Sequence, residues 1–376
     1  MEGITVLVSK QTELEQQILN QTDIENSQLS CLTQGEQAVL RALKSQCTKV
    51  FVTGAGGFLG KAICKRLRAA GIEVVGFARS AYPELVRLGV DMYQGDICDY
   101  DKLLDAMKGC DLVFHVASKA GVWGSEDSYF LPNVNGTANV LRACKKHKIQ
   151  KLVYTSTPSV TFQGQDENGI DESAPYASKF LNFYAQSKAC AEKMVLAANG
   201  EKVKTVALRP HLIWGPGDPH LVPRVLARAK AGKLKLVGKE DKLVDTIFID
   251  NAAYGHLLAG LDLCQAAKSA GKAYFLSNDE PITMAAMLNS ILASADLPPV
   301  TKRVPAKLAF YVGYLLELVY GVLRVRTEPV MTRFIAKQLS SSHYFDISAA
   351  KNDLGYSPQV SMAEGMEKLK QSLLKS

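Results

Sequence analysis

Short apolar runs alternate with amphipathic segments through the middle of the chain. Runs rich in β-branched and aromatic residues predict strands at Val50–Val52, Glu73–Phe77, Met92–Gln94, Leu112–Val116, Lys151–Thr155 and Thr205–Leu208. Helical spacing between these runs predicts helices, notably at Asp99–Lys108 and Val134–Lys146. Strands that alternate with helices form βαβ units and parallel sheets. We therefore expect an α/β fold built on a doubly wound parallel sheet.

The pattern changes at both ends of this stretch and divides the chain into three predicted regions. Residues 1–47 are polar and Gln-rich, with one short helix expected at Glu36–Leu43. They predict a loosely ordered extension or a partner-docking segment. Residues 48–210 form the predicted sheet domain. Residues 211–376 lose the alternation and predict a smaller, mostly helical region that caps the sheet, with some segments returning to it.

The most apolar segment of the chain is Leu308–Leu323, which is interrupted only by Glu317. As a helix it would span about 24 Å, less than the roughly 30 Å of a bilayer's hydrocarbon core. A transmembrane helix is therefore not expected. The segment predicts a buried or lid helix, and a membrane-surface helix flanked by Lys307, Arg324 and Arg326 is the alternative.

Composition narrows the class of protein. The 376 residues are 47% hydrophobic and 22% charged, as in ordinary globular proteins. The net charge of +7 comes without a basic block, so we expect no nucleic-acid partner. Eight scattered cysteines, without a C-x-x-C pair or metal-ligand spacing, predict reduced thiols, no metal and a cytoplasmic protein. Residues 1–30 lack the pattern of a secretory signal.

Three glycines follow the first predicted strand and open a helix. Gly54, Gly57 and Gly60 allow a tight turn and the close approach of a pyrophosphate to the helix N-terminus. Phe58 and Leu59 lie in the same turn. In this strand and helix context, the spacing favours a Rossmann-type dinucleotide site over a plain glycine turn.

The end of the second strand indicates which cofactor binds. NAD enzymes usually place an acidic residue there, but this chain has Ala78 followed by Arg79. An arginine can hold a 2′-phosphate through charge-assisted hydrogen bonds, whereas the alternative is a surface arginine on a turn. We therefore predict NADPH, with NAD the less favoured cofactor.

Further cofactor contacts are expected at the ends of the third, fourth and sixth strands. Asp96 is placed to accept a hydrogen bond from the adenine amino group, with Ile97 beside it. Ala117 and Ser118 end the fourth strand at the switch point of the sheet, and strand-end packing is the other interpretation of both. Pro210 completes this set of cofactor candidates.

One tyrosine of the chain, Tyr184, has a lysine four residues later, at Lys188. On a helix the two side chains share a face, and a phenol beside an ammonium is a suitable acid for a carbonyl-reducing enzyme. The pair alone is a weak signal, but the hydroxyl-rich stretch Thr155–Thr157 ends the adjacent strand. These elements can converge at the carboxyl edge of the sheet.

Taken in order, the motifs resemble those of the extended short-chain dehydrogenase/reductase superfamily over roughly residues 48–370. The matching stretches are Thr53–Gly60, Asn135–Thr137, Tyr154–Val160, Tyr184–Lys188, Leu208–Pro210 with Gly215–Pro216, and Phe345–Ile347 with Leu354–Pro358. The resemblance implies that Tyr184 is the general acid and that Lys188 binds the nicotinamide ribose and lowers the pKa of the tyrosine.

The resemblance also assigns three neighbouring polar residues. Thr157 takes the place of the superfamily's catalytic serine, with Ser156 as a possible substitute, and Asn135 aligns with an asparagine that orders the site. The alternative for these positions is that they are polar residues on helix surfaces.

Within the superfamily the chain resembles the 3β-hydroxysteroid dehydrogenase group. Arg209–Pro216 and Leu243–Asn251 are similar to sterol-4α-carboxylate 3-dehydrogenases, and His115–Gly124 resembles bacterial 2-alkyl-3-oxoalkanoate reductases of long-chain olefin biosynthesis. The implied reaction is NADPH-dependent reduction of a 2-alkyl-3-oxoalkanoate to the 3-hydroxy acid. Sterol or 3β-hydroxysteroid dehydrogenation is the alternative, followed by a sugar-nucleotide epimerase or dehydratase and by a non-catalytic dinucleotide-binding protein.

A lipid-like β-keto acid would need an apolar channel and a cation. Val122 and Trp123 are candidates for lining the channel, with Phe310–Tyr320 covering long alkyl chains. Lys119 is the candidate for the carboxylate, although a solvated loop lysine is the plainer interpretation. A homodimer, a complex with other enzymes of the pathway and peripheral membrane contact stay open as further associations.

Overall fold

A central sheet of seven parallel strands organises the computed structural model of the chain, which describes residues 29–375. The strands are β1 Lys49–Thr53, β2 Glu73–Ala78, β3 Asp91–Gln94, β4 Leu112–His115, β5 Lys151–Thr155, β6 Glu167–Ile170, β7 Lys204–Pro210, β8 Ile213–Trp214, β9 Leu236–Val237, β10 Leu243–Val244, β11 Ile247–Phe248, β12 Ala273–Leu276, β13 Ile282–Thr283, β14 Arg303–Val304 and β15 His343–Phe345. The seven-stranded sheet has the order β12-β7-β5-β4-β1-β2-β3.

The helices are α1 Gln34–Lys44, α2 Phe58–Ala69, α3 Pro83–Arg87, α4 Tyr100–Ala106, α5 Glu126–Phe130, α6 Gly136–His147, α7 Phe183–Ala197, α8 Leu221–Lys230, α9 Ile249–Cys264, α10 Met284–Ala293, α11 Ala306–Val322, α12 Arg333–Gln338, α13 Ser348–Leu354 and α14 Met362–Leu374. A π-helical segment, Leu131–Asn135, joins α5 to α6, and a 3₁₀ turn, Pro158–Val160, follows β5.

The side chains of β1 show how the sheet is covered on both faces. Val50 and Val52 belong to one buried cluster, together with residues of α1, α2 and α9, whereas Phe51 belongs to a second cluster with residues of α4, α6 and α7. Because both faces of the sheet are buried, its strands are nearly continuous apolar runs. Chain order reverses between β1 and β4, which creates the crevice where such sheets bind ligands.

The doubly wound sheet and its helical C-terminal region are confirmed. The six predicted strands correspond to β1–β5 and β7, with ends that differ by two residues at most. The helix predicted from Val134 begins instead at Gly136, after the π-helical segment. Part of the C-terminal region lies in the sheet itself, because β12 pairs with β7.

Residues 29–47, which the sequence analysis assigns to a loosely ordered extension, are packed into the main core. Thr33 and Glu36 form a capping box at the start of α1, and Leu40 and Leu43 are fully buried. The Glu36 carboxylate accepts a 2.6 Å hydrogen bond from Arg66, which also pairs with Asp250. The boundary predicted at residue 47 therefore cuts through a packed unit, and residues 1–28 lie outside the described residues.

Helix α11 corresponds to the predicted buried or lid helix, but most of its apolar side chains are exposed. Tyr311, Leu315 and Val322 are 66%, 59% and 76% exposed, whereas Ala309 and Gly313 are buried against α12 and its neighbours. The burial prediction was wrong because apolar composition alone does not say whether a partner element exists. In the part of the chain that the structure describes, no helix has the length and apolarity to cross a membrane.

Candidate active site

The glycine turn after β1 is closed tightly enough to exclude larger residues. Gly54 has a φ of +65°, and a Cβ there would lie 2.9 Å from the backbone of Ala117 at the end of β4. A Cβ on Gly60 would clash with the carbonyl of Gly54. The turn therefore brings the start of α2 against the crevice, with its first backbone N–H groups available to an anion.

A buried hydrogen-bond network holds this turn against the neighbouring elements. The Thr53 hydroxyl lies 2.8 Å from Nδ1 of His115, and Nε2 of His115 lies 2.9 Å from the Thr137 hydroxyl. Because Thr137 donates its own proton to the carbonyl of Asn133, His115 must donate from Nε2 and accept at Nδ1. Burial and the nearby Lys188 lower the pKa of His115 to about 3, so the ring is a neutral structural link.

Tyr184 and Lys188 lie on the first two turns of α7, at the carboxyl edge of the sheet. The Asn182 side chain caps this helix by accepting from the backbone N–H of Ala185 at 2.8 Å. Burial raises the pKa of Tyr184, and a hydrogen bond with the Thr157 hydroxyl opposes that rise. The structure thus brings Tyr184 and Thr157 together.

Lys188 contacts groups other than the tyrosine hydroxyl. It is 1% exposed, and its Nζ donates to the carbonyl of Thr155 at 2.5 Å and lies 4.1 Å from the centre of the Tyr154 ring. Burial lowers the pKa of Lys188 to about 7, against the opposing charge of Glu192. The resemblance implies that Lys188 lowers the pKa of Tyr184. In this structure, burial and the Thr157 hydroxyl set the pKa of Tyr184, and Lys188 does not contribute.

Of the two asparagines in the π-helical segment, Asn133 is buried and hydrogen-bonded, whereas Asn135 is exposed. Asn135 is exposed and makes no side-chain hydrogen bond with any residue in the described range. Asn133 is 1% exposed, accepts from the backbone N–H of Lys119 at 2.7 Å and donates to the Ser187 hydroxyl at 2.9 Å. The role of Asn135 therefore stays a prediction, and the structure adds Asn133, which lies buried in the π-helical segment.

The predicted cofactor residues Arg79, Asp96, Ile97 and Ser118 follow the carboxyl ends of β2, β3 and β4. Arg79 is exposed at the end of β2, and Ser118 is exposed after β4. Asp96 is exposed, and its carboxylate accepts from the backbone N–H of Cys98 at 2.8 Å. The Ile97 side chain lies against Gly136, where it closes the core.

The other cofactor candidates contribute mainly backbone. Ala117 donates its N–H to the Thr53 hydroxyl at 3.0 Å, and Pro210 ends β7. The side chain of Leu59 is buried in the core, and that of Phe58 is partly buried against it.

The substrate candidates follow β4 and β5. Nζ of Lys119 lies 4.6 Å from the centre of the Tyr129 ring. Val122 is half-buried in the same loop. The Trp123 indole donates to the carbonyl of Val325 at 3.0 Å and packs against Tyr320 of α11, so this loop is attached to the segment that follows α11. Ser156 is buried, and its hydroxyl has no partner among the described residues.

Tyr129 is a site residue that the sequence analysis missed. Its ring lies edge-on to Tyr184 at 6.3 Å, and its hydroxyl donates to the carbonyl of Trp123 at 3.0 Å. It therefore connects the general-acid candidate to the loop of Lys119 and Trp123. No motif marks this position, since it follows a polar run on the short helix α5.

Comparison with known proteins places the chain among oxidoreductases. The model of the 3-beta hydroxysteroid dehydrogenase/isomerase family matches residues 51–305. A 2-alkyl-3-oxoalkanoate reductase of Shewanella oneidensis is 68% identical over 346 residues, which cover 90% of this chain and 89% of the relative. A protein of the same name from Stenotrophomonas maltophilia is 50% identical, covering 86% of this chain and 99% of its own.

More distant relatives share the fold or the family. The mouse sterol-4-alpha-carboxylate 3-dehydrogenase, decarboxylating, is 35% identical over 87% of this chain and 91% of its own length. A solved epimerase from Methanothermobacter thermautotrophicus has a TM-score of 0.72 at 20% identity, covering 90% of this chain and 95% of that chain. At that identity the structural match shows the fold alone.

Proposed function

The chain belongs to the 3-beta hydroxysteroid dehydrogenase/isomerase family of NAD(P)-dependent oxidoreductases, and we propose that it reduces a 2-alkyl-3-oxoalkanoate with NADPH. The product is the 2-alkyl-3-hydroxyalkanoate, in the biosynthesis of long-chain olefins. The similarity to the Shewanella oneidensis reductase, which extends over most of both chains, carries the choice of substrate. The proposal goes beyond the family, whose members act on several hydroxyl and keto compounds.

The crevice has the features that a dinucleotide requires. A side chain at Gly54 would fill the space beside Ala117, and the start of α2 presents free N–H groups to a pyrophosphate. When bound, the cofactor supplies the hydride for the carbonyl carbon. Gly57, Phe58, Leu59 and Gly60 would hold its phosphates through their backbone, whereas Asp96, Ile97, Ala117, Ser118 and Pro210 would line the rest of its path.

Tyr184 donates a proton to the substrate oxygen in the proposed reaction. The half-buried phenol is protonated at neutral pH, because the ordinary pKa of a tyrosine already lies well above 7 and burial raises it further, and a hydrogen bond joins it to the Thr157 hydroxyl. Thr157 would donate a hydrogen bond to the same substrate oxygen while negative charge develops on it during hydride transfer. Lys188 would bind the nicotinamide ribose and stabilise the phenolate, and Asn133 would hold the Lys119 loop in register.

Arg79 supports the preference for NADPH. It is exposed at the end of β2, where no carboxylate stands to bind ribose hydroxyls. Among the described residues it has no ion-pair partner, so the guanidinium is available to a 2′-phosphate.

Lys119 is proposed to bind the substrate carboxylate. Its Nζ lies over the Tyr129 ring, whose edge contacts the reacting Tyr184. In a β-keto acid the carboxylate is close to the reacting carbonyl. Its cation must therefore lie near the general acid, and Lys119 is separated from Tyr184 by the Tyr129 ring. Val122 and Trp123 would then contact the alkyl chains, and Ser156 would be a second hydroxyl near the carbonyl.

Purified protein tests the proposal directly. With NADPH and a freshly prepared 2-alkyl-3-oxoalkanoate, we expect NADPH consumption and formation of the 3-hydroxy acid. Because β-keto acids lose CO₂ spontaneously, oxidation of the stable 3-hydroxy acid with NADP⁺ is the matched assay. The proposal would be overturned if the protein left β-keto acids unreduced and oxidised 4-carboxysterols with NAD. The protein would then have the sterol dehydrogenase activity for which the mouse relative is named.

Two further enzyme classes serve as controls in that assay. The solved epimerases resemble this chain in fold, so UDP-sugars and dTDP-sugars are included as substrates that should remain unchanged. Cofactor binding without any turnover would indicate a non-catalytic dinucleotide-binding protein.

We also propose that the exposed face of α11 contacts a membrane surface. The exposed apolar side chains are flanked by the exposed cations Lys307, Arg324 and Arg326. Both carboxylates of residues 306–338 are paired within the protein, Glu317 with Arg333 and Glu328 with Arg224. The face is therefore apolar and cationic, which suits an anionic lipid surface better than a neutral one. A homodimer or a pathway enzyme covering this face would be seen as a change in oligomeric state.

A further inference from the structure

A third residue continues the row that Tyr184 and Lys188 begin on α7. Glu192 lies one further helical turn along, so the three side chains share one face. Glu192 is 0% exposed. Its carboxylate accepts from Nε and Nη2 of Arg209, at 3.0 and 2.6 Å, and from the Tyr176 hydroxyl at 2.7 Å. Nothing in the proposed reaction so far uses this buried carboxylate.

The groups that surround Lys188 explain what Glu192 contributes. From β5 the lysine meets the Thr155 carbonyl and the Tyr154 ring, which are uncharged. Burial raises the pKa of Tyr154 well above its ordinary value, so its phenol stays protonated.

Two histidines of neighbouring elements are also neutral. His115 on β4 has a pKa lowered to about 3, and His256 on α9, which bonds the Thr155 hydroxyl at 2.9 Å, has a pKa lowered to about 4, in both cases mainly by burial. On β7, the positively charged Arg209 is paired with Glu192 at 2.6 Å. Among the described residues, Glu192 is thus the carboxylate that acts on Lys188.

We propose that Glu192 is a positioning residue for the reduction: it keeps Lys188 charged beneath Tyr184, and Arg209 and Tyr176 hold Glu192 in place. This role rests on the proposed function, because the charge on Lys188 matters only if Tyr184 gives up its proton. A neutral amine could not stabilise the phenolate that remains after proton transfer.

The buried environment makes this support necessary. An ammonium loses hydration when it is buried, and a nearby carboxylate offsets part of that cost. With Glu192 present, the pKa of Lys188 is still about 7. Loss of the Glu192 charge would lower the pKa of Lys188 further and so favour the neutral amine.

A purely structural role for Glu192 is the competing explanation, because the Arg209 pair also ties α7 to β7. The chain offers a matched control in Glu36, a 3% exposed carboxylate that pairs with the buried Arg66 between α1 and α2. Glu36→Gln removes a buried ion pair of the same kind on other elements. It should lower thermal stability without affecting Lys188.

The test measures the titration of Lys188 without cofactor or turnover. NMR of protein labelled with ¹³C at lysine Cε, with the signal assigned by its loss in Lys188→Arg, gives the titration midpoint. We expect Glu192→Gln to lower this midpoint by about one pH unit or more, and Glu36→Gln to leave it unchanged. An unchanged midpoint in folded Glu192→Gln would overturn the proposal.

Glu192→Asp keeps an anion for Arg209 and serves if Glu192→Gln does not fold. Its shorter side chain moves the charge, so we expect a smaller downward shift of the Lys188 midpoint. An unshifted midpoint in that variant would also overturn the proposal.

Kinetics separate this inference from the proposed function. Reduction should fail as pH rises through the pKa of Lys188, so the basic limb of the kcat profile should move to lower pH in Glu192→Gln and not in Glu36→Gln. If wild-type protein turned over no β-keto acid while the NMR midpoint still shifted, the substrate assignment would fail and the link between Glu192 and Lys188 would stand.

Discussion

Two helices of similar length, α7 and α11, invert the usual relation between polarity and burial. The 15-residue α7 buries Lys188 and Glu192 almost completely. The 17-residue α11 exposes Tyr311, Leu315 and other large apolar side chains. Polar residues are ordinarily exposed and contiguous apolar patches ordinarily buried, so each helix departs from the rule in the opposite direction.

The difference lies in where the compensating partners are found. The charges of α7 are compensated within the chain, by Arg209, Tyr176 and the Thr155 carbonyl. The apolar face of α11 has no such cover among residues 29–375, since α12 packs on its other side only. A buried charge that the fold supports indicates chemistry, whereas an uncovered apolar face indicates contact with something outside the chain.

The largest expected effect comes from removing the acid of α7. Tyr184→Phe keeps the ring and its contact with Tyr129 but loses the proton, so kcat should fall by about 10²–10⁴-fold. NADPH binding, measured by fluorescence titration, should be retained, as should the circular dichroism spectrum. Undiminished turnover would remove Tyr184 from its assigned role and would leave α7 as a structural helix.

Lys188→Met tests whether the buried lysine of α7 lowers the stability of the folded protein. The folded pKa of Lys188, about 7, lies below its ordinary value of 10.5, so the unfolded chain binds the extra proton between those values and wild-type stability rises with pH across that window. Below pH 7 the cost of burying the ammonium is complete. The methionine variant should therefore be more stable than wild type by about 1–4 kcal/mol near pH 6 and lose this advantage towards pH 10.

Urea unfolding at several pH values measures that advantage, and turnover of the same variant should be nearly abolished. A methionine variant that is less stable than wild type at pH 6 would show that Lys188 is a net stabilising part of the core.

The sequence predicted the elements that carry local signals and missed those that depend on tertiary context. The strands of the sheet and the glycine turn follow from short apolar runs and from glycines whose backbone must turn. Glu192 was within reach, since extending the row of Tyr184 and Lys188 by one turn of helix finds it. The capping box that begins with Thr33 likewise marked the start of α1.

Two other features cannot be predicted from the sequence pattern. The π-helical segment Leu131–Asn135 changes the angular register, so counting along the chain could not decide between Asn133 and Asn135. The apolar composition of α11 predicted a buried or lid helix, with a membrane-surface helix as the alternative, but only the packed structure reveals that no element of residues 29–375 covers its exposed face.

Arg79 shares one property with each of the two helices. It is charged, like Lys188 and Glu192 of α7, and it is exposed, like the apolar face of α11. Because solvent screens an exposed contact, Arg79→Asp should shift the ratio of kcat/KM for NADPH over NADH by only about tenfold towards NADH. Arg87→Asp makes the same charge change on exposed α3 and is the matched control. An unchanged ratio in Arg79→Asp would remove Arg79 as the 2′-phosphate ligand.

The smallest expected effect on stability comes from the exposed face of α11. Leu315→Ser together with Leu318→Ser should change the free energy of unfolding by only about 0.5 kcal/mol, because both side chains are more than half exposed. Leu257→Ser, at a fully buried position on α9, should cost about 3–5 kcal/mol. Comparable costs at both places would mean that the α11 face is covered in solution.

The same double variant decides what covers that face. Wild-type protein should co-sediment with vesicles of phosphatidylglycerol and phosphatidylethanolamine and less with phosphatidylcholine alone, because Lys307, Arg324 and Arg326 border the apolar side chains. The double variant should lose this binding while keeping its activity on a short-chain β-keto acid, since the reacting groups lie on α7 and β5. If light scattering instead finds a wild-type dimer that the variant converts to a monomer, and no vesicle binding occurs, a second copy covers α11 and the membrane proposal fails.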